Sequence, residues 1–163
     1  MKNDMNELEV EVEDFLRCLE REEGHSFEIL PQHHLEGASG KNWRIDFAIK
    51  DFDEIKYLVE CKNIESLKPQ TFLARMDEAY RELCDLLIKL NNGLDNPTVF
   101  GIVVVPEISY PFDKEYWCEE CDKWGDMFQP INARFFILGA LSKNLVIFKL
   151  FILRIRHFHH FCI

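Results

Sequence analysis

Hydrophobic positions along the chain change period several times, and each change marks an element. Leu8, Val12, Phe15, Leu16 and Leu19 recur at helical spacing and Gly24 stops the pattern, which predicts an amphipathic helix over residues 7–23. A short strand over Phe27–Leu30 follows, ended by Pro31, and the turn-forming stretch 32–42 (QHHLEGASGKN) reads as a loop. Trp43, Ile45, Phe47 and Ile49 then alternate with Arg44, Asp46, Ala48 and Lys50, the period of a strand with one core face. Residues 51–54 turn the chain, and Tyr57–Lys62 forms a second strand. The set Phe72, Leu73, Met76, Tyr80, Leu83, Leu87 and Leu90 predicts a long helix over 71–92, closed by Asn91, Asn92 and Gly93. Val99–Val105 is apolar at consecutive positions, as in a strand covered on both faces.

A strand, a long helix and a buried strand in succession make a βαβ crossover. Residues 106–130, with three prolines and many charges, read as loop, and the runs Arg134–Leu141 and Leu145–Ile155 as added strands. The expected architecture is one α/β domain over 1–163, with an α-β-β-β-α-β core over about 7–105 and a loop and C-terminal strand extension over 106–163. A length of 163 residues with 47 % apolar and 29 % charged residues suits one globular domain.

The net charge of −10 excludes a polybasic protein. It is unevenly spread: residues 131–163 hold five Lys or Arg and no acid, leaving −15 on the first 130. Such a chain binds a polyanion only locally and with help from a metal. The acidic start, Met1–Glu13, lacks the apolar stretch of a secretory signal, and Leu145–Leu153 is too short for a membrane span and is broken by Lys149. A cytoplasmic location, no membrane partner and six reduced cysteines are therefore expected, with Cys18 and Cys84 as small core residues.

Chemistry concentrates on the hairpin turning at 51–54. If Phe47 faces Val59 and Ile49 faces Tyr57, the same register sets Asp46 opposite Glu60. Glu60 and Lys62 then share a face, while Val59 and Cys61 point into the core. Two carboxylates so close repel unless a cation sits between them. Hard oxygen ligands suit Mg²⁺ or Mn²⁺, which lowers the pKa of bound water and neutralises charge developing on a phosphate. A lysine alongside can orient or deprotonate the attacking water and stabilise the charge that develops on phosphorus. Together these parts describe phosphodiester hydrolysis. The competing reading is a solvated hairpin face with ordinary weak ion pairs.

Asp46, then thirteen residues, then Glu60-Cys61-Lys62 resembles the PD-(D/E)xK motif of the restriction-endonuclease-like nuclease superfamily. The stretch WRIDFAIKDFDEIKYLVECKN is similar to its Mrr-like and Holliday-junction-resolvase-like branches, and the likeness covers about residues 7–105. Ile45 stands where the name-giving proline would be. The resemblance implies a restriction-endonuclease-like αβββαβ core, a central mixed sheet flanked by helices, and a Mg²⁺-dependent DNA endonuclease. It further implies that Asp46, Glu60 and the Cys61 backbone carbonyl hold the metal and that Lys62 positions the water. A glutamate of the first helix would join them: Glu13, with Glu9 one turn earlier as the substitute.

Weaker signals lie nearby. The loop carrying His33, His34, Gly37, Gly40 and Lys41, with Arg44 beyond it, offers DNA-backbone contacts, of which Arg44 and Lys41 are the best placed. Lys68 and Gln70 open the long helix, where a phosphate is favoured but capping or solvation competes. Cys118 and Cys121 have the spacing of half a zinc site, with His157, His159, His160 and Cys162 the other candidate ligands. A homodimer would let one site per chain cut both strands of a duplex. The alternative to an enzyme is a non-catalytic nucleic-acid-binding or assembly module on the same fold, which the net charge favours.

Overall fold

The opening helical pattern becomes α1 (Glu7–Glu23) in the computed structural model, which describes residues 5–23, 27–63, 69–93, 95, 97–106 and 114–137. Asn6 caps it: its Oδ1 accepts the Glu9 N–H at 3.1 Å while its amide donates back to the Glu9 carboxylate. This reciprocal arrangement satisfies a free helix donor and fixes the first turn. The remaining elements are β1 (Phe27–Glu36), β2 (Asn42–Asp51), β3 (Glu54–Cys61), α2 (Pro69–Leu90), β4 (Phe100–Val105), α3 (Lys114–Phe128) and β5 (Ala133–Ile137).

The strands form a five-stranded mixed open sheet in the order β1-β2-β3-β4-β5. β1–β2 and β2–β3 pair antiparallel; β3–β4 and β4–β5 pair parallel, with α2 and α3 as the connecting helices. Phe47 pairs with Val59 and Ile49 with Tyr57, the register read from the alternation. Beyond it a bulge at Ile49/Lys50 leads into the turn, where Phe52 and Asp53 take φ of 49° and 68°. Two central residues with positive φ match the right-handed twist of the strands.

One core lies between the sheet and α1, built on Leu8, Val12, Leu16 and Leu19 against Phe47, Ile49, Val59, Ile102 and Val104. A second lies between the sheet and α2 with α3, built on Met76, Leu83, Leu86 and Leu87 against Ile45, Leu58, Val103 and Val105. β4 therefore alternates between two apolar layers, as its unbroken run requires. Gly101 lets α2 approach: a Cβ there would stand 3.0 Å from Leu87 and 2.9 Å from Ala133.

Several elements differ from their sequence reading. β1 runs through Pro31 to Glu36, so the loop is only 37–41; Pro31 is tolerated because β1 is an edge strand. Trp43 and Ile45 do not share a face with Phe47 and Ile49: the former pack on the α2 side and the latter on the α1 side. The alternation breaks between the Pro31–Phe47 and His33–Ile45 pairs, where Gln32 has φ 50°. Asp46 sits at that break. Residues 114–128, read as loop, form α3, because Trp124 and Phe128 one turn apart pack edge to face on Phe72 and against Tyr80. Cys18 is exposed rather than in the core, whereas Cys84 is partly buried. β5 accounts for the first of the two added strands; the run 145–155 lies outside the described residues, as do Lys68, the side chains of Gln70, Cys118 and Cys121, and the tail histidines. Among the described residues no helix is long and apolar enough to cross a membrane.

Candidate active site

Asp46 stands where β2 leaves its regular pleat, and β3 carries Glu60 and, just past its end, Lys62. Asp46 Oδ2 accepts the Cys61 backbone N–H at 2.7 Å, so β3 itself fixes the aspartate beside the Glu60–Lys62 pair. Lys62 Nζ contacts Glu60 Oε1, and its own N–H continues the sheet by donating to the Val104 carbonyl at 2.9 Å. These side chains are not a solvated hairpin face: relative exposure is 9 % for Asp46, 4 % for Glu60 and 8 % for Lys62. Burying carboxylates is costly unless they are paired, so their presence here calls for more than a surface ion pair.

Two further elements close on this point. From α1, Glu9 rather than Glu13 faces Asp46. Gln32 Nε2 donates to Glu9 Oε2 at 3.1 Å and lies 3.4 Å from Asp46 Oδ1, bridging the two acids. Glu13 instead accepts from Arg17 at 3.2 Å, on a helix face that also carries the Arg17–Glu20 pair. From α2, Glu82 is buried with its Oε2 3.9 Å from Lys62 Nζ, and half-exposed Glu78 lies at 3.8 Å.

The charges respond to this crowding. Burial pushes the Asp46 carboxyl up, only partly offset by the Cys61 N–H bond and by Lys62. Burial, and then the Asp46 charge, push Glu60 well above the usual carboxylate range. Glu9 is raised by burial and by Asp46; Glu82 is raised mainly by burial, partly offset by Lys62 and by a side-chain hydrogen bond with Glu60. Burial alone would lower Lys62, but the carboxylates of Glu60, Glu78 and Glu82 outweigh it and hold the ammonium above its ordinary value. Lys62 is thus a charged donor. The Cys61 thiol is pushed up by burial and is no nucleophile.

The donor set fits a hard divalent cation. Among the described residues no N–H or hydroxyl donates to the buried Glu60 Oε2, and Asp46 Oδ1 has the long contact to Gln32. Among the described residues no three His, Cys, Asp or Glu side chains converge as a ready-made metal cage. Mg²⁺ does not require one, since it keeps several waters and uses one or two carboxylates plus phosphate oxygens.

Arg44 is exposed, yet its charge lowers both Asp46 and Glu9, which places it within electrostatic reach of the acids. Lys41 lies over the Trp43 ring at 3.2 Å from its centroid. The loop carrying it is pinned by Asp85 of α2, which accepts from Ser39 N at 2.8 Å, Ser39 Oγ at 2.7 Å and Trp43 Nε1 at 2.7 Å.

The structure therefore brings together Asp46, Glu60 and Lys62, puts Arg44 near them, and leaves Glu13 and Lys41 apart. Sequence reading missed Gln32, Glu78 and Glu82. Glu82 did leave a signal: it is an acid inside the apolar stripe of α2, three residues after Ala79 and four before Leu86. Comparison with protein-family models, with curated proteins and with solved structures returned no match.

Proposed function

We propose that this chain is a divalent-metal-dependent phosphodiester hydrolase that cuts DNA internally, on a restriction-endonuclease-like core. The observation that carries the reading is the buried Asp46–Glu60–Lys62 group, held on adjacent strands by the Cys61 N–H and containing a carboxylate oxygen to which no N–H or hydroxyl of the described residues donates. The order α1-β1-β2-β3-α2-β4 over residues 7–105 supports it, since the resemblance implies that order.

Asp46 and Glu60, with the Cys61 carbonyl, would hold Mg²⁺ or Mn²⁺. The bound ion supplies Lewis-acid stabilisation of charge developing on the phosphate. Lys62 donates hydrogen bonds: it orients the attacking water and stabilises the developing negative charge rather than removing the water's proton. Gln32 and Glu9 hold Asp46 from the α1 side. Arg44 would meet a DNA phosphate beside the acids, and Lys41, in the loop before β2, would offer a second, more distant contact.

The test is incubation of the purified chain with supercoiled, linear and branched DNA and with RNA, in Mg²⁺, Mn²⁺ or EDTA. Cutting that requires metal and is lost in Asp46→Ala and Lys62→Ala is expected. A folded protein that binds DNA but cuts no substrate would replace this reading by that of a binding module.

A further inference from the structure

The Lys62 ammonium has three carboxylates around it, and they are not equivalent. Glu60 makes the contact, Glu78 is half-exposed and also pairs with Arg75 at 3.2 Å, and Glu82 is buried on the apolar side of α2. An acid at that position is a poor choice for stability, because an apolar residue of similar volume would fill the stripe without the cost of desolvating a charge. Its neighbours Ala79, Leu83 and Leu86 are all fully buried. Lys62 is the one cation placed against Glu82 among the ion pairs of the described residues.

Glu60 cannot serve two cations equally. Its Oε1 holds Lys62, while among the described residues no N–H or hydroxyl donates to its Oε2 and the neighbouring carboxyl is that of Glu82. A divalent ion accepted by Glu60 and Asp46 would repel the ammonium from the oxygen it now touches, since like charges a few ångströms apart are strongly unfavourable in a buried site. Lys62 then needs a second anchor or it leaves.

We propose that Glu82 is that anchor: a positioning residue on α2 that keeps the Lys62 ammonium at the site when Glu60 turns to the metal. The inference rests on the metal reading above and adds a residue outside the Asp-Glu-Lys motif. Lys62 shifts from Glu60 toward Glu82, with Glu78 as a weaker, solvent-screened partner. α2 thereby sets the orientation of a side chain that β3 supplies.

The experiment follows Lys62 directly in the full chain, without a substrate. An amine-reactive acetylating ester is applied with and without Mg²⁺, and modification of Lys62 is quantified by peptide mass spectrometry, with Lys50 and Lys56 as internal references. In the unaltered chain and in Glu82→Asp, Mg²⁺ leaves Lys62 protected. In Glu82→Gln, Mg²⁺ raises its modification about tenfold, the scale expected for loss of one charge-assisted contact. Melting temperature with and without Mg²⁺ reports metal binding and folding in the same samples. Mg²⁺-induced stabilisation in both proteins with Lys62 equally protected in Glu82→Gln overturns the inference alone. No Mg²⁺ effect on melting in any variant overturns the metal reading and this inference together. Under single-turnover conditions at saturating metal, Glu82→Gln is expected to cut about tenfold more slowly and Glu82→Asp to recover most of the rate.

Discussion

Replacing Glu60 by glutamine should make the metal-free protein more stable while destroying its metal site. The side chain keeps its shape, its oxygen still accepts from Lys62, and the new amide can donate toward Glu82 where Oε2 now receives no N–H or hydroxyl from the described residues. What disappears is a buried negative charge facing Asp46 and Glu82. Transfer of such an ion into the interior costs several kcal/mol, and its charge-assisted contact with Lys62 returns roughly 1.5–3 kcal/mol. The net gain expected for Glu60→Gln at pH 7.5 in EDTA is on the order of 1–3 kcal/mol, or about 3–10 °C in melting temperature for a domain of this size. The sign of the pH dependence follows from the raised carboxyl. The folded state holds the Glu60 proton more tightly than the unfolded state does, where the ordinary value is 4.5. Wild-type stability therefore falls as pH rises from that value through the folded-state one, and the advantage of the glutamine variant grows over the same window and vanishes below it. Excess Mg²⁺ should reverse the order, because only the wild type then gains binding energy. Thermal unfolding by circular dichroism in EDTA across pH 4–8 is the assay. A Glu60→Gln variant that melts several degrees below wild type at pH 7.5 would refute the reasoning, showing that Lys62 more than compensates the buried charge.

Other consequences are smaller or more local. Asn6→Ala should cost about 1 kcal/mol by removing the cap of α1, whereas Glu13→Ala should stay within about 0.5 kcal/mol, both read from urea unfolding. In cleavage assays Gln32→Ala and Glu9→Gln should slow the reaction about 10–100-fold, as loss of a group that orients a metal ligand does, with Glu13→Gln near wild type. Asp85→Ala should destabilise by about 1–3 kcal/mol and speed hydrogen exchange in residues 37–43; Gly37→Ala should resemble it and not add to it, because its Cβ would stand 2.0 Å from Asp85 Oδ2. Asp53→Gly should stabilise the hairpin by about 1 kcal/mol or less, since glycine adopts its φ of 68° without the left-handed steric cost but frees the unfolded chain, and a lower melting temperature would count against the turn geometry.

Much of this arrangement is legible in the sequence. Apolar alternation around a polar turn pins a hairpin register, because a one-residue slip would expose Phe47, Ile49, Tyr57 and Val59 together. That register is what brings Asp46 to the Glu60–Lys62 strand. The break at Gln32 was not legible: a left-handed glutamine has no compositional signature, and it reverses which face Trp43 and Ile45 take. The rotation of α1 was equally hidden, because Glu9 and Glu13 lie one turn apart on a patterned helix and only the Asn6 cap and the Gln32 amide select Glu9. α3 was obscured by its aromatic and charged residues, whose packing partners Phe72 and Tyr80 lie on a helix far away in sequence. Glu82 was visible as a misplaced acid, but its partner Lys62 comes from β3 and only the fold joins them.

The central claim is a site for one divalent cation between Asp46 and Glu60, and a Mn²⁺ titration followed by electron paramagnetic resonance tests it most directly. The account predicts one Mn²⁺ bound per chain, lost in Asp46→Asn and in Glu60→Gln and retained in Glu13→Gln. Binding that is absent in the folded wild-type protein, or that survives unchanged in both substitutions, would contradict it.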